Sequence, residues 1–579
     1  MAEMTQMTFQ QLKKLSKKDT SALPRFPLAV MGDCATQHLA TAIRGYGVSV
    51  GIDLAVFDAD YNQIDAQVMD PGSELYRFAT KGVLIQMCTE KLWEAFCDTP
   101  PEGRASFADT TFERIRRIWS QIGVNSAATI LQCNFPLLDD GVFGQFGSKT
   151  ADSFLFQQRK LNYLLMQGCQ EAKNVYLVDL DALQSIRGRQ SFSDPKLYYI
   201  AKMPISLDAL PDVAKSVVDV IQALRGAVKK AVILDLDNTL WGGVIGDDGL
   251  SGIQIGELGT GHAFSDLQCW LKQLKNRGIL LAVCSKNNED TAKEPFEKHP
   301  EMVLRLEDFS MFVANWEDKA SNIRRIQKTL NIGMDSLVFL DDNPFERELV
   351  RSMIGEITVP ELPEDPAMYL QFLRGLNLFE TVSYSAEDAD RTRQYQEQAQ
   401  RTAFEASFQS YDDYLKGLCM QAKAAPFDEF HYPRIAQLTQ RSNQFNLRTQ
   451  RYTEAQVAAL ARDDSRVCLY FTLKDKFGDH GLISVVVLDK QPENALFISQ
   501  WLMSCRVLKR GMEEFIINKI LSTASELGFR RVIGEYLPTP KNAMVKDLYE
   551  AMGFVRVGEN RFEAAVSGFQ YHKTYITEE

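Results

Sequence analysis

Residues 231–237 read AVILDLD, an apolar run that finishes on two aspartates two residues apart. An unbroken apolar run of this length suits a strand buried on both faces, in a parallel sheet flanked by helices. The rhythm recurs in ILLAVCS, SLVFLDD and EITVPEL, separated by helical segments. Ligands of open α/β sheets sit at the carboxyl ends of the strands. Three of these four runs end there on Asp235/Asp237, Ser285 and Asp341/Asp342, and Lys319 in NWEDKASNI falls at an expected helix start. Carboxylates gathered at one sheet edge repel one another and need a cation. Aspartates with carbonyl oxygens suit Mg²⁺, which also accepts phosphate oxygens.

A carboxylate held beside Mg²⁺ can attack phosphorus and form an aspartyl-phosphate. A second carboxylate can protonate the leaving oxygen and later activate water. A hydroxyl and an ammonium can hold the transferring group and its charge. Any one of these motifs could be structural, a DxD closing a turn or a DD capping a helix. Four in order favour chemistry.

The chain has 579 residues, more than one core sustains, so several domains are expected. Residues 1–226 alternate strand-like runs (PLAVMG, AATILQCN, NVYLVDL) with helical ones and read as an α/β domain. Residues 227–377 form the central α/β domain, 378–426 a polar helical linker, and 427–579 an α+β domain with three long antiparallel strands. The fold class is α/β multidomain. A net charge of −12 argues against general nucleic-acid binding. No apolar stretch reaches spanning length, and the N-terminus lacks a leader's apolar region. Ten cysteines without a CxxC pair or zinc spacing read as a reduced cytoplasmic protein without structural metal.

DLDNT, the Ser of AVCSKN, the Lys of NWEDK and the Asp pair of FLDDNPFER resemble the four motifs of haloacid dehalogenase-type phosphatases. The flanks, with LTQRSNQFNLRTQRYT, LKDKFGDHGLISVVVLD and WLMSCRVLKRGMEEF further on, resemble the FkbH-like branch. That resemblance implies Asp235 as nucleophile and Asp237 as general acid/base, with Ser285, Lys286, Asn287 and Lys319 on the phosphate. Asp235, Asp237 and Asp342 would hold Mg²⁺, with Asp341 orienting Lys319. It also implies a phosphorylated three-carbon substrate, 1,3-bisphosphoglycerate, and loading of its glyceryl unit as a thioester onto an acyl carrier protein.

Cys505, at a strand end beside Arg506, Lys509 and Arg510 and before a helix expected near Gly511, has the surroundings that favour a thiolate. Folding the hairpin about Gln491 and Pro492 puts His480 opposite roughly Met503, one diagonal step from Cys505. The blander readings are a packed strand cysteine and a hairpin-edge histidine. Cys284, beside Ser285, is the rival thiol. The C-terminal domain resembles a GNAT-type acyltransferase, with RVLKRG (Arg506 to Gly511) in place of the phosphate loop. Lys509 stands where that loop has glycine, which disfavours free acetyl-CoA but leaves room for a phosphopantetheine arm at Arg506, Lys509, Arg510 and Gly511. An acidic carrier protein would suit this basic patch.

VMGDCATQHL resembles the first block of SGNH-type hydrolases with Cys34 for the serine, and LQCNFP offers Asn134 for an oxyanion hole. Asp194 is followed at the family spacing by Leu197 rather than histidine, and His38 follows Cys34 by about a helical turn, so a degenerate domain is expected. Two other readings remain. One is a plain phosphatase whose C-terminal domain acylates a sugar or amine in polysaccharide or secondary-metabolite synthesis, and the other an inactive scaffold.

Overall fold

The structure is a computed structural model that describes residues 7–384, 392, 393, 395, 397, 401, 404, 408 and 410–579. It divides into two compact units, Thr5–Gln222 and Ala223–Glu579, close to the expected boundary at 226. Within the expected linker 378–426, most of the stretch 385–409 lies outside the described residues.

The first unit is a five-stranded parallel sheet of β1 (Arg25–Gly32), β2 (Asp53–Asp58), β3 (Gly82–Gln86), β4 (Thr129–Cys133) and β5 (Val175–Val178), in the order β2-β1-β3-β4-β5. Its strands are short and apolar because helices cover both faces. The long helix Phe107–Asn125 buries Ile115, Ile118, Trp119 and Ile122 at three- and four-residue spacing.

The second unit holds two sheets. The central one is parallel, with β6 (Ala231–Leu234), β7 (Leu280–Ser285), β8 (Phe309–Ala314) and β9 (Leu337–Leu340) in the order β8-β7-β6-β9. EITVPEL, expected as a strand, contributes only an isolated bridge from Thr358 to Val338. Pro360 lacks the N–H that would extend the ladder. The fourth strand is FSMFVA at 309–314, which leads directly into the Lys319 helix.

The C-terminal sheet is mixed and eight-stranded. Its strands are β10 (Gln421–Pro426), β11 (Arg466–Asp475), β12 (Gly478–Gln491), β13 (Ala495–Met503), β14 (Arg531–Glu535), β15 (Val555–Arg556), β16 (Arg561–Ala565) and β17 (Thr577–Glu578). The order is β15-β16-β14-β13-β12-β11-β10-β17. β10 starts within the segment expected to be linker, so the domain begins before residue 427. β13 and β14 pair in parallel only over Ala495–Phe497 and Arg531–Ile533, then part. Among the described residues no helix is long and apolar enough to cross a membrane, and all ten cysteines are free thiols.

In the first unit the helix Phe9–Leu15 packs on the helix Gln37–Ser49, where Gly45 permits close approach: a Cβ there would lie 2.1 Å from the Leu12 carbonyl oxygen. Backbone cannot yield as a side-chain tip can. Gly45→Ala is expected to destabilise this unit by about 1–3 kcal/mol in urea unfolding; an unchanged midpoint would contradict the packing.

Candidate functional site

Asp235 follows β6, its N–H donating to the Leu340 carbonyl at 3.0 Å, so the end of β6 and the start of the Asp341/Asp342 loop are fixed together. Lys319 opens the helix Lys319–Leu330, capped by Asp318. Its ammonium lies 3.0 Å from Asp235 Oδ1 and 2.5 Å from Asp341 Oδ2, and all three groups are buried. Burial works against the Lys319 charge, but Asp235 and Asp341 outweigh it and hold the ammonium above the usual lysine range. Burial, then the charge of Asp235, pushes Asp341 and Asp342 upward against the pull of Lys319. The cluster thus carries more negative than positive charge.

Oxygens of Asp235, Asp341 and Asp342 lie within 4.8 Å of one another, within the reach of one cation. Asp237 was expected among the metal ligands, yet its side chain is not in this group. Its Oδ1 accepts from Trp241 Nε1 and the Ile245 N–H, both at 3.0 Å, and its Oδ2 from Asn287 Nδ2 at 2.9 Å. Three N–H donors therefore hold Asp237 apart, while Asp341, expected only to orient Lys319, joins the cluster. Burial raises the Asp237 carboxyl despite these bonds.

Asn287 thus meets Asp237 within the protein, and Lys286 is drawn 2.6 Å from Glu346. Ser285 ends β7 and is buried beside the site's strands. Trp241, Thr239 and Arg347 escaped the sequence reading. Thr239 accepts the Asp342 N–H at 3.1 Å, and Arg347 donates to the carbonyls of Asp341 and Asp342 at 2.9 and 2.6 Å. The signal for Thr239 and Arg347 lay in the motifs themselves, DLDNT and DDNPFER, and Trp241 stands two residues past the first.

Cys505 is half-buried in a 3₁₀ turn after β13 and lines a cavity of about 380 Å³ with Asn331, Arg434, Arg441, Arg506 and Lys541. Its carbonyl accepts from Asn331 Nδ2 at 3.0 Å. Lys230, Leu280 and Ser336, which precede or begin β6, β7 and β9, line the same cavity. Cys505 therefore sits at the opposite edge of the central sheet from Asp235, at least a strand length away, about 13 Å for four residues.

The His480–Cys505 dyad does not form. Ser484, not His480, pairs with Met503, and a bulge interrupts the register at Val487/Leu488. His480 lies beyond the end of β13, with Nε2 3.0 Å from both Asp475 Oδ2 and Arg510 NH1. Arg401 completes this buried cluster at 2.7 Å from Asp475. Arg510, expected at a phosphopantetheine arm, is buried and bonded to Asp475 and to the Arg506 carbonyl. Lys509 adopts φ 62°, and its N–H donates to Glu513 Oε1 at 3.1 Å. Gly511 at φ 83° caps the helix Met512–Glu526, whose first turn already carries Glu513 and Glu514. That helix start is poorly suited to a further anion. Cys284 is fully buried, and burial pushes its thiol well above the ordinary range.

The gap where β13 and β14 part is filled by the chain itself. The Met503 N–H donates to the Phe445 carbonyl, the Leu447 N–H to the Trp501 carbonyl, and the Leu537 N–H to the Leu447 carbonyl, at 2.8–3.1 Å. Arg448 adds bonds to the Ser499 carbonyl and Glu535. QFNLR in the sequence is this plug. An extended arm entering the gap finds these backbone groups already paired.

In the first unit His38 stacks on Phe9, with ring centroids 5.3 Å apart, and Asn134 bonds Asp179 and the Asp181 N–H. Neither serves a Cys34 nucleophile as a hydrolase would require. Asp194 caps the helix Pro195–Ala201.

The sequence profile described as "FkbH, N-terminal domain" matches residues 27–222. The N-terminal part of the protein BF1531 from Bacteroides fragilis, a crystal structure containing a phosphatase domain complexed with Mg, is 47% identical. That match covers 65% of this chain and 100% of that one, with a TM-score of 0.63. Spermidine N-acetyltransferase from Vibrio cholerae in complex with CoA and spermine matches at 16% identity, over 26% of this chain and 98% of that one, with a TM-score of 0.22. The ribosomal-protein-S18-alanine N-acetyltransferase from Escherichia coli matches at 12% identity, over 25% and 95%, with a TM-score of 0.21. No curated protein sequence matches.

Two outcomes test the electrostatics. Burial depresses the His480 imidazole to about 4, so its ring resonances should stay constant between pH 8 and 5.5. The neutral ring is favoured only in the folded state. Its contribution is therefore complete above the unfolded value of about 6.5 and lost as pH falls toward 4. Lys319→Met leaves buried carboxylates uncompensated and is expected to cost about 3–5 kcal/mol at pH 8 in denaturant unfolding. That deficit should shrink as pH falls and the carboxylates protonate; a deficit independent of pH would contradict the account.

Proposed function

Because the chain belongs to the FkbH-like family of haloacid dehalogenase-type phosphatases, we propose that it is a cytoplasmic Mg²⁺-dependent phosphatase and glyceryltransferase. In this reading it dephosphorylates the three-carbon unit of 1,3-bisphosphoglycerate and loads it, through a thioester on Cys505, onto the phosphopantetheine arm of an acyl carrier protein. The observation that carries the phosphatase half is the convergence of Asp235, Asp341 and Asp342 around Lys319. Excess negative charge and an all-oxygen donor set fit Mg²⁺, the ion bound by the Bacteroides fragilis phosphatase domain. When bound at Asp235, Asp341 and Asp342, Mg²⁺ offsets the charge of the phosphoryl group and of the attacking carboxylate.

Asp235 forms the O–P bond as the bond to the leaving oxygen breaks. Asp237, whose carboxyl burial keeps raised, gives that oxygen its proton. It then takes a proton from the water that attacks phosphorus and frees Asp235. Lys319 and Ser285 hold the transferring oxygens, while Asn287 and Trp241 aim Asp237. An acyl phosphate is already activated, so the Cys505 thiol can expel phosphate from its carbonyl directly, and the aspartates are needed for the phosphate ester. The cationic lining of the Cys505 cavity suits such an anion. Since the two centres occupy opposite edges of the central sheet, the three-carbon unit has to move between them.

That separation, with the absence of the His480 contact, also supports a second reading, a phosphatase that works without Cys505. The filled β13/β14 gap speaks against acylation from free acyl-CoA. Intact mass after incubation with Mg²⁺ and a 1,3-bisphosphoglycerate-generating system separates the readings. The proposal expects a gain of one acyl group, lost in Cys505→Ala and discharged by a pantetheinylated carrier. Phosphate release without mass gain leaves the phosphatase alone. Asp237→Asn is expected to slow phosphate release by about 10²–10⁴-fold, and activity within tenfold of wild type would remove it as the acid.

A further inference from the structure

The first unit carries a second cluster of ligating groups, on a different sheet from Asp235. β1 and β3 are neighbours, with Gly32 paired to Gln86 across them, and the strand order β2-β1-β3-β4-β5 makes their junction the point where the chain reverses its winding. A crevice at the carboxyl ends of the strands is expected there. Two residues beyond each strand stand Cys34 and Cys88, 2% and 3% exposed. Asp33 lies between them, and its Oδ1 accepts the Cys88 N–H at 2.8 Å. A carboxylate oxygen of Asp33 and the two sulfurs all lie within 4.8 Å of one another.

Among the described residues, none of these three acids has an ion-pair partner. Burial pushes Asp33 up to about 6, and a hydrogen bond with Cys34, followed by burial, pushes the Cys88 thiol far upward. Arg114 and Lys91, the cations whose charge Asp33 feels, are paired at the surface with Asp65 and Glu94. Two thiols and a carboxyl gathered within 4.8 Å make a donor set for one cation.

Cys88 also lines a cavity of about 750 Å³, walled by Trp93, Phe192, Tyr198 and Tyr199. Gln86 lines it too, and its side-chain oxygen, in a residue only 3% exposed, meets no hydrogen-bond donor among the described residues. That oxygen is a buried acceptor next to the strand ends that carry Cys34 and Cys88.

We propose that Asp33, Cys34 and Cys88 form a binding site for a borderline-soft divalent cation, Zn²⁺ by chemical class, with its remaining coordination position open to the aromatic cavity. Two sulfurs and one oxygen select Zn²⁺ over Mg²⁺, and a tetrahedral zinc with bonds of about 2.3 Å to sulfur fits within atoms that lie no more than 4.8 Å apart. On binding, each cysteine releases its thiol proton to solvent and Asp33 ligates as carboxylate. Three protein ligands and an open position are the pattern of a working rather than a structural zinc.

The test uses the full-length, metal-free protein titrated with Co²⁺. The expected result is one equivalent bound with a sulfur-to-cobalt charge-transfer band and tetrahedral visible absorption, both abolished by Zn²⁺ and lost in Cys34→Ser and Cys88→Ser. The aspartates around Lys319 bring no sulfur and cannot produce that band. Cys97→Ser and Cys269→Ser, at exposed thiols, should keep it. No charge-transfer band in the wild type, or one that survives both buried substitutions, overturns the proposal. Zinc X-ray absorption on the wild type gives a check free of any folding defect: two sulfurs in the first shell support the site, and a shell of oxygen and nitrogen alone rejects it.

Discussion

The buried ion pairs of Lys319 with Asp235 and Asp341 organise the catalytic half of this protein. An ammonium at 2.5–3.0 Å from two carboxylates can be buried only if strands and helix deliver all three groups to one point. β6 delivers Asp235, the turn after β9 delivers Asp341 and Asp342, and the helix following β8 delivers Lys319 as its first residue. The pair is also incomplete, because one ammonium faces three carboxylates. The stability of the sheet edge and its appetite for a cation therefore have the same origin.

The remaining polar clusters follow the same rule of pairing. Asp475 gathers Arg401, His480 and Arg510, which removes His480 from any role beside Cys505. The cluster pins the turn of the β11/β12 hairpin to the loop before the helix Met512–Glu526. Two residues that read as functional from their chemistry, His480 and Arg510, act here as fasteners. The QFNLR plug does similar work with backbone bonds, since it satisfies the strand edges that the parting of β13 and β14 leaves open.

Much of this was legible in the sequence, for reasons that can be named. Unbroken apolar runs ending on aspartate or serine located β6, β7 and β9, because a strand buried on both faces admits polar and charged groups only at its ends. β8 was missed because FSMFVA has a serine inside it, while EITVPEL looked more like a strand and was disqualified by Pro360. The His480 register failed on a bulge and on a strand end that hairpin arithmetic does not foresee. The family resemblance placed Asp237 on the metal. Only the placement of Trp241, Ile245 and Asn287 shows what holds its side chain elsewhere. The meeting of Cys34 with Cys88, far apart in sequence, depends on the neighbouring of β1 and β3, which no local pattern reveals.

The central claim is that Asp235 takes the phosphoryl group. Acid quenching of the enzyme during turnover with Mg²⁺, followed by peptide mass analysis of residues 231–249, tests it most directly. The account predicts an acid-stable, base-labile phosphate on Asp235 that disappears in Asp235→Asn together with phosphate release. Turnover that leaves this peptide unmodified while phosphate appears on another residue, or full activity in Asp235→Asn, would contradict it.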